Sequence, residues 1–149
     1  PAPTWPAWAL LATIGAWVAV IDAITTWIPA VLAWTGWVGW IGAVVVTALS
    51  DQTAATRAVI ATAIIFAAWM IAWLISRGGF GFSDVRITPL WAAPVAATGI
   101  DTIHATVIAG LTLIALYALI DRFRHHTTRF LPWAPSLCSG ALIGLAIAH

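Results

Sequence analysis

Five aspartates supply all the side-chain carboxylates of the chain, and their settings differ. Asp51 and Asp101 stand beside serine or threonine between apolar runs, as helix caps do. Asp121 opens a loop rich in arginine and histidine, where ion pairing costs little. Asp22 follows an unbroken apolar run, LLATIGAWVAVI, and Asp84 sits in RGGFGFSDVR, where three glycines and two arginines interrupt long apolar stretches. If those stretches cross a bilayer, a carboxylate within them costs on the order of 2.5 to 3.5 kcal/mol, which makes it a functional residue by default. Two carboxylates held close cannot both ionise easily. One keeps a proton while the other stays charged, and the pair can run acid and base chemistry near neutral pH. The ionised member takes a proton from water, the water attacks a carbonyl, and the protonated member donates to the tetrahedral oxyanion. No metal is required for this chemistry.

Such a pair needs elements that bring residues 62 positions apart (84 minus 22) to one place. The chain has 149 residues, of which 62% are hydrophobic and 7% charged, too little polar surface to cover a soluble globule. It reads as a single membrane-embedded domain over residues 1–149, an all-α integral membrane protein. Apolar runs predict helices at about 6–22, 30–49, 58–75, 87–99, 101–120 and 136–148, a bundle of six transmembrane helices. Helices satisfy their own backbone in lipid, and the alternating ten-residue strands of a barrel are missing. No basic region precedes the first run, so it is expected to be a span and not a cleavable signal. The fourth run is short and carries Pro89 and Pro94; its alternatives are a tilted or kinked helix, or a re-entrant pair formed with the fifth run through Gly99.

Alternating connections put Arg77, Arg86, Arg122, Arg124 and Arg129 on one face and only Arg57 on the other, so the arginine-rich face is the cytoplasmic one and both termini lie outside. Asp22 closes the first span and Asp84 precedes the fourth. Both therefore fall at the cytoplasmic ends of their helices and can meet, in a cleft open to that face. Gly78, Gly79 and Gly81 would let the backbone there approach a substrate strand and adopt torsions closed to other residues. Trp5, Trp8, Trp27, Trp34, Trp69, Trp73, Trp91 and Trp133 lie mostly near run ends, as an aromatic belt at the headgroups does. Gly36, Gly39 and Gly42 mark one small-residue face, and Gly140 with Gly144 marks another, both suited to close helix packing.

The segment IDAITTWIP around Asp22 resembles the membrane aspartate motif of type IV prepilin peptidases, in which Ile-Pro, here Ile28 and Pro29, follows the aspartate that ends the first span. GFGFSDVR resembles the same family's GxGD motif, whose second catalytic aspartate is followed by a hydrophobic and a basic residue, here Val85 and Arg86. LPWAPSLCSGALIGL is similar to the proline-containing entry to the family's last helix, with Pro132 and Pro135 in place. The three segments occur in the family's order and together span most of the chain, from Ile21 to Leu145. The departures are Ser83 for the second motif glycine, Ala30 for the asparagine after Ile-Pro, and Ile24 for an arginine two residues after the first aspartate.

The resemblance implies an aspartyl endopeptidase in the inner membrane of a prokaryote. It would cut the leader from prepilin-like precursors at the cytoplasmic face, with Asp22 and Asp84 catalytic and Pro29, Gly79, Gly81 and Ser83 as motif support or substrate contacts. Larger family members also methylate the new N-terminus and carry an insert with paired CxxC motifs. This chain has one cysteine, Cys138, and no such insert, so cleavage without methylation and without a cofactor is expected. The expected partners are the precursors and the lipid bilayer.

Other chemistries fit less well. His104 lies inside the fifth run, apart from His125 and His126 in the arginine-rich loop, so no metal site is expected. That loop suits anionic headgroups or a precursor's tail. The GxG of RGGFGFSDVR has no preceding strand and no following GK[ST], so it is not a phosphate cradle. A net charge of +1 leaves no basic surface for nucleic acid. The competing reading from another class is a noncatalytic membrane subunit, binding precursors or conducting protons through the same aspartates.

Overall fold

The computed structural model describes residues 5–76, 81–125 and 133–148, and within them every element is helical. Helix α1 runs Trp5–Thr25, with a π-helical stretch at Leu11–Gly15. It is followed by α2 (Ala30–Ala48), α3 (Gln52–Ser76), α4 (Phe82–Arg86), α5 (Thr88–Thr98), α6 (Ile100–His125) and α7 (Trp133–Ala148). Four of these, α1, α2, α3 and α6, are long and apolar enough to cross a membrane. Helix α5 has 11 residues and α7 has 16, short of the roughly 20 that a full crossing takes. The six expected full-length spans are therefore four such helices and two shorter ones. The outer surface is that of a protein solvated by lipid, with Ile24, Val31, Val38, Leu49 and Phe123 each more than two-thirds exposed.

Helix α3 starts six residues ahead of the expected position (58 minus 52). Asp51 makes this possible: its Oδ1 accepts the Ala54 backbone N–H at 2.8 Å, the cap its sequence setting implies. At the other end of the chain Asp121 belongs to α6 and not to a loop, because the helix continues to His125.

The short fourth run is the centre of the fold. All of α5 from Thr88 to Ala97 is buried, packed by α1, α2, α3, α6 and α7. A helix walled by protein need not match bilayer thickness, and its backbone is shielded from lipid, so Pro94 in its interior is tolerated there. It stops at Thr98, and Gly99 separates it from α6. Trp91, expected in the aromatic belt, is instead 1% exposed in the core beside Leu11, Val95 and Leu137.

Two contacts set the direction of the segments. Arg57 Nη2 donates to the Ala97 carbonyl at 3.1 Å, a cation at the negative end of a helix. The Trp8 indole N–H donates to Thr98 Oγ1 at 3.1 Å, and that hydroxyl donates to the Pro94 carbonyl at 2.9 Å. The first turns of α1 and α3 thus meet the last turn of α5. The opposite end of α5 is where Asp22, α4 and the first turn of α7 come together.

Helices α6 and α7 are the most intimately packed pair. A Cβ built at Gly140 would lie 2.7 Å from the Gly110 nitrogen, and one at Gly144 would lie 2.8 Å from the Thr106 nitrogen, so backbones touch there as the glycine spacing implies. On α2 the expected face is narrower. Gly36 meets Leu90 and Gly39 meets Leu10, but Gly42 faces open space.

Candidate active site

Asp22 lies on the inner face of α1 one turn beyond Val18, and both are buried. The helix ends just past it: Thr26 adopts φ 52° and its N–H donates to the Asp22 carbonyl at 2.8 Å. This left-handed turn sends Ile28 inward, where it is fully buried among Leu10, Val18, Ile87, Leu90 and Ala134. Pro29 is the residue that opens α2, so of the Ile-Pro pair it is Ile28 that packs beneath the site. The Asp22 side chain is 3% exposed, and its Oδ2 accepts the Ala134 backbone N–H at 3.0 Å. Ala134 belongs to the first turn of α7, whose unpaired N–H groups and positive dipole end favour a carboxylate. Pro135 suits that turn, since a helix start needs no N–H from it.

Asp84 sits in the five-residue helix α4 and is 6% exposed. Its backbone N–H donates to the Gly81 carbonyl at 3.1 Å. Gly81 has φ −73° and ψ 130°, torsions open to any residue, so the expected torsional reason for this glycine does not hold. The reason is space: a Cβ at Gly81 would lie 2.9 Å from Asp84 Oδ2 and 3.1 Å from Ser83 Oγ. Ser83 lies in the same turn, half-buried, while Arg77, Gly78 and Gly79 lie outside the described residues.

Two tryptophans moor α4, Trp37 from α2 and Trp73 from α3. The Trp37 indole N–H on α2 donates to the Arg86 carbonyl at 3.0 Å, and its ring meets Trp40 and Phe66 edge-on, both at 5.5 Å. The Phe82 ring packs on Trp73 at 5.0 Å, and the Arg86 guanidinium lies over Phe82 at 5.4 Å. Val85 and Ile87, which follow Asp84 in the chain, are both buried.

The two aspartates come within electrostatic reach at one end of the bundle. Burial first, and the neighbouring Asp22 charge second, push the Asp84 carboxyl up to about 7. Asp84 therefore holds a proton through mildly acidic conditions and titrates near neutral pH, and the Asp22 side chain accepts a backbone N–H from a helix N-terminus. The site is enclosed rather than an open cleft, since neither side chain is more than 6% exposed.

Of the remaining polar candidates, Asp51 caps α3, Asp101 stands exposed in the first turn of α6, and His104 is exposed on the same helix. Among the described residues no cluster of three or more histidine, cysteine, aspartate or glutamate side chains is placed to hold a metal ion. His126 lies outside the described residues. Two contributors escaped the sequence reading. Ala134 acts through its backbone and leaves no residue-type signal, though Pro135 marks the helix start that supplies it. Trp37 resembles any other span tryptophan, and only its position opposite Arg86 distinguishes it. Compared with protein-family models, curated proteins and solved structures, the chain matches none.

Proposed function

We propose that the chain is a membrane aspartyl endopeptidase that removes the leader of prepilin-like precursors at the cytoplasmic face of a prokaryotic inner membrane, as a six-segment bundle of the type IV prepilin peptidase kind. The observation that carries this reading is the convergence of Asp22 and Asp84, from separate helices, in one buried site where one carboxyl is raised to about 7. Asp22 is the base that takes a proton from water. Asp84 is the acid that donates to the oxyanion of the attacked carbonyl. No cofactor enters, and the product's N-terminus stays unmethylated. With both carboxyls nearly buried, a peptide reaches them only when a neighbouring segment moves aside.

The test is cleavage itself. Purified protein in micelles is mixed with a precursor that has a short basic leader ending in glycine before an apolar helix, and the products are weighed by mass spectrometry. A product lacking the leader is expected; an intact precursor at every pH from mildly acidic to mildly alkaline would sink the proposal. Because the acid must be protonated, the rate falls as pH rises through about 7. The same carboxyl affects stability in the same direction. A raised folded-state value means a contribution fully present below the unfolded value and lost as pH rises through about 7. Asp84→Asn is therefore expected to raise the melting midpoint above neutral pH while removing activity, measured by thermal melts across a pH series.

Trp37→Phe probes the mooring of α4. Phenylalanine keeps an aromatic ring against Trp40 and Phe66 but removes the N–H on the Arg86 carbonyl. A loss of about 1 kcal/mol in stability is expected, together with a fall of about tenfold in kcat at nearly constant KM, because Asp84 loses its position and not its substrate. Steady-state kinetics beside a thermal melt check this.

One observation favours a second reading, a noncatalytic subunit that binds precursors or conducts protons: the enclosure of both carboxyls. Under that reading the wild type binds precursor and never cuts it.

A further inference from the structure

We propose that the groove between α3 and α6 holds one anionic phospholipid, with its phosphodiester on Arg57 and an acyl chain along Ile60, Ile64 and Ile103. The groove has a volume of about 510 Å³ and follows one face of α3 from Gln52 to Ile64 before closing on Ile100 and Ile103 of α6. Its lining changes character along the axis, from Gln52 and Arg57 at one end to isoleucines at the other, which is the polarity of a lipid.

The depth agrees. Helix α3 has 25 residues, about 37 Å at 1.5 Å per residue, against a hydrocarbon core of about 30 Å. The excess of about 7 Å equals the rise from Gln52 to Arg57, so placed at the N-terminal end it sets Arg57 beside phosphates. Arg57 is also preorganised, because Nη2 is fixed on the Ala97 carbonyl at 3.1 Å. Its remaining N–H groups are left to grip a phosphodiester. Among the described residues no carboxylate pairs with it. Asp51 is engaged by Ala54, and Asp101, next to Ile100, is exposed to solvent, where its repulsion is screened. A cation with an apolar slot below it suits an anionic lipid better than an apolar protein helix, which would offer Arg57 no counter-charge.

The test is native mass spectrometry of the full chain in mild detergent, titrated with phosphatidylglycerol, for the wild type, Arg57→Gln and Ala61→Trp. Ala61 also lines the groove, so a tryptophan there fills it while the Arg57–Ala97 bond stays intact. This keeps the result readable if Arg57→Gln loosens α5. The wild type is expected to take up one lipid ahead of the rest, with uptake weakened about tenfold in both variants. Equal uptake by all three proteins overturns the proposal, as does a dimer mass that Ala61→Trp abolishes, which would make a second copy the occupant. Lipid uptake is read without any cleavage, so failure here leaves the peptidase proposal standing.

Discussion

Asp22→Asn and Asp84→Asn are each expected to lower the cleavage rate of a prepilin-type precursor by on the order of 10³-fold, with the double variant no slower than either single one. The asparagine at 22 can still accept the Ala134 N–H at its amide oxygen, so the α7 contact survives while the base is gone. The asparagine at 84 still offers a donor, yet it has no proton to transfer. Each change breaks a cycle that needs both members, and the second loss has nothing left to remove. Precursor binding should persist in all three variants, because the leader and the apolar helix of a precursor extend well beyond two carboxyls. Single-turnover cleavage of a labelled precursor, beside a binding measurement, separates the two effects. Additive losses in the double variant would mean that the aspartates act independently and are not a dyad.

Gly140→Val and Gly144→Val are expected to do comparable damage from a distance. At both positions an added side chain meets backbone atoms, Gly110 in one case and Thr106 in the other, and backbone cannot swing away as a side-chain tip can. The cost is on the order of 3 kcal/mol, at the upper end for overpacking. The functional loss exceeds what unfolding explains, because α7 also delivers Ala134 to Asp22. When α7 is pushed off α6, Asp22 loses its N-terminal donor and its orientation. Thermal melts give the first effect, and cleavage per folded molecule gives the second. Gly42→Ala is the control: a Cβ there meets nothing within 4 Å, so both measurements should stay at the wild-type level.

The sequence made the two aspartates legible because each carboxylate interrupts or closes an apolar run, and the alternation of the runs placed both at one end. Polar positions at helix starts were harder. Residues 52–57 are too hydrophilic to look like part of a span, and only the Asp51 cap reveals that α3 begins there. The central place of α5 was hidden because hydropathy measures distance from water and does not distinguish lipid from protein as the apolar surroundings. Its brevity and its prolines were the available signals, and they pointed to irregularity before they pointed to burial. Trp91 was misplaced for the same reason, since a tryptophan near a run end looks the same whether it faces headgroups or the core. At Gly81 the expected torsional reason fails: its torsions are ordinary, and the Asp84 carboxyl fills the space a side chain would take.

The central claim is that Asp22 and Asp84 together cut a precursor. It is tested most directly by coexpressing a prepilin-type precursor with the wild type, Asp22→Asn or Asp84→Asn and measuring the intact mass of the recovered precursor. The expected result is a leader-free mass with the wild type and the full-length mass with both variants. A full-length precursor beside the wild type, or a leader-free one beside either variant, would contradict it.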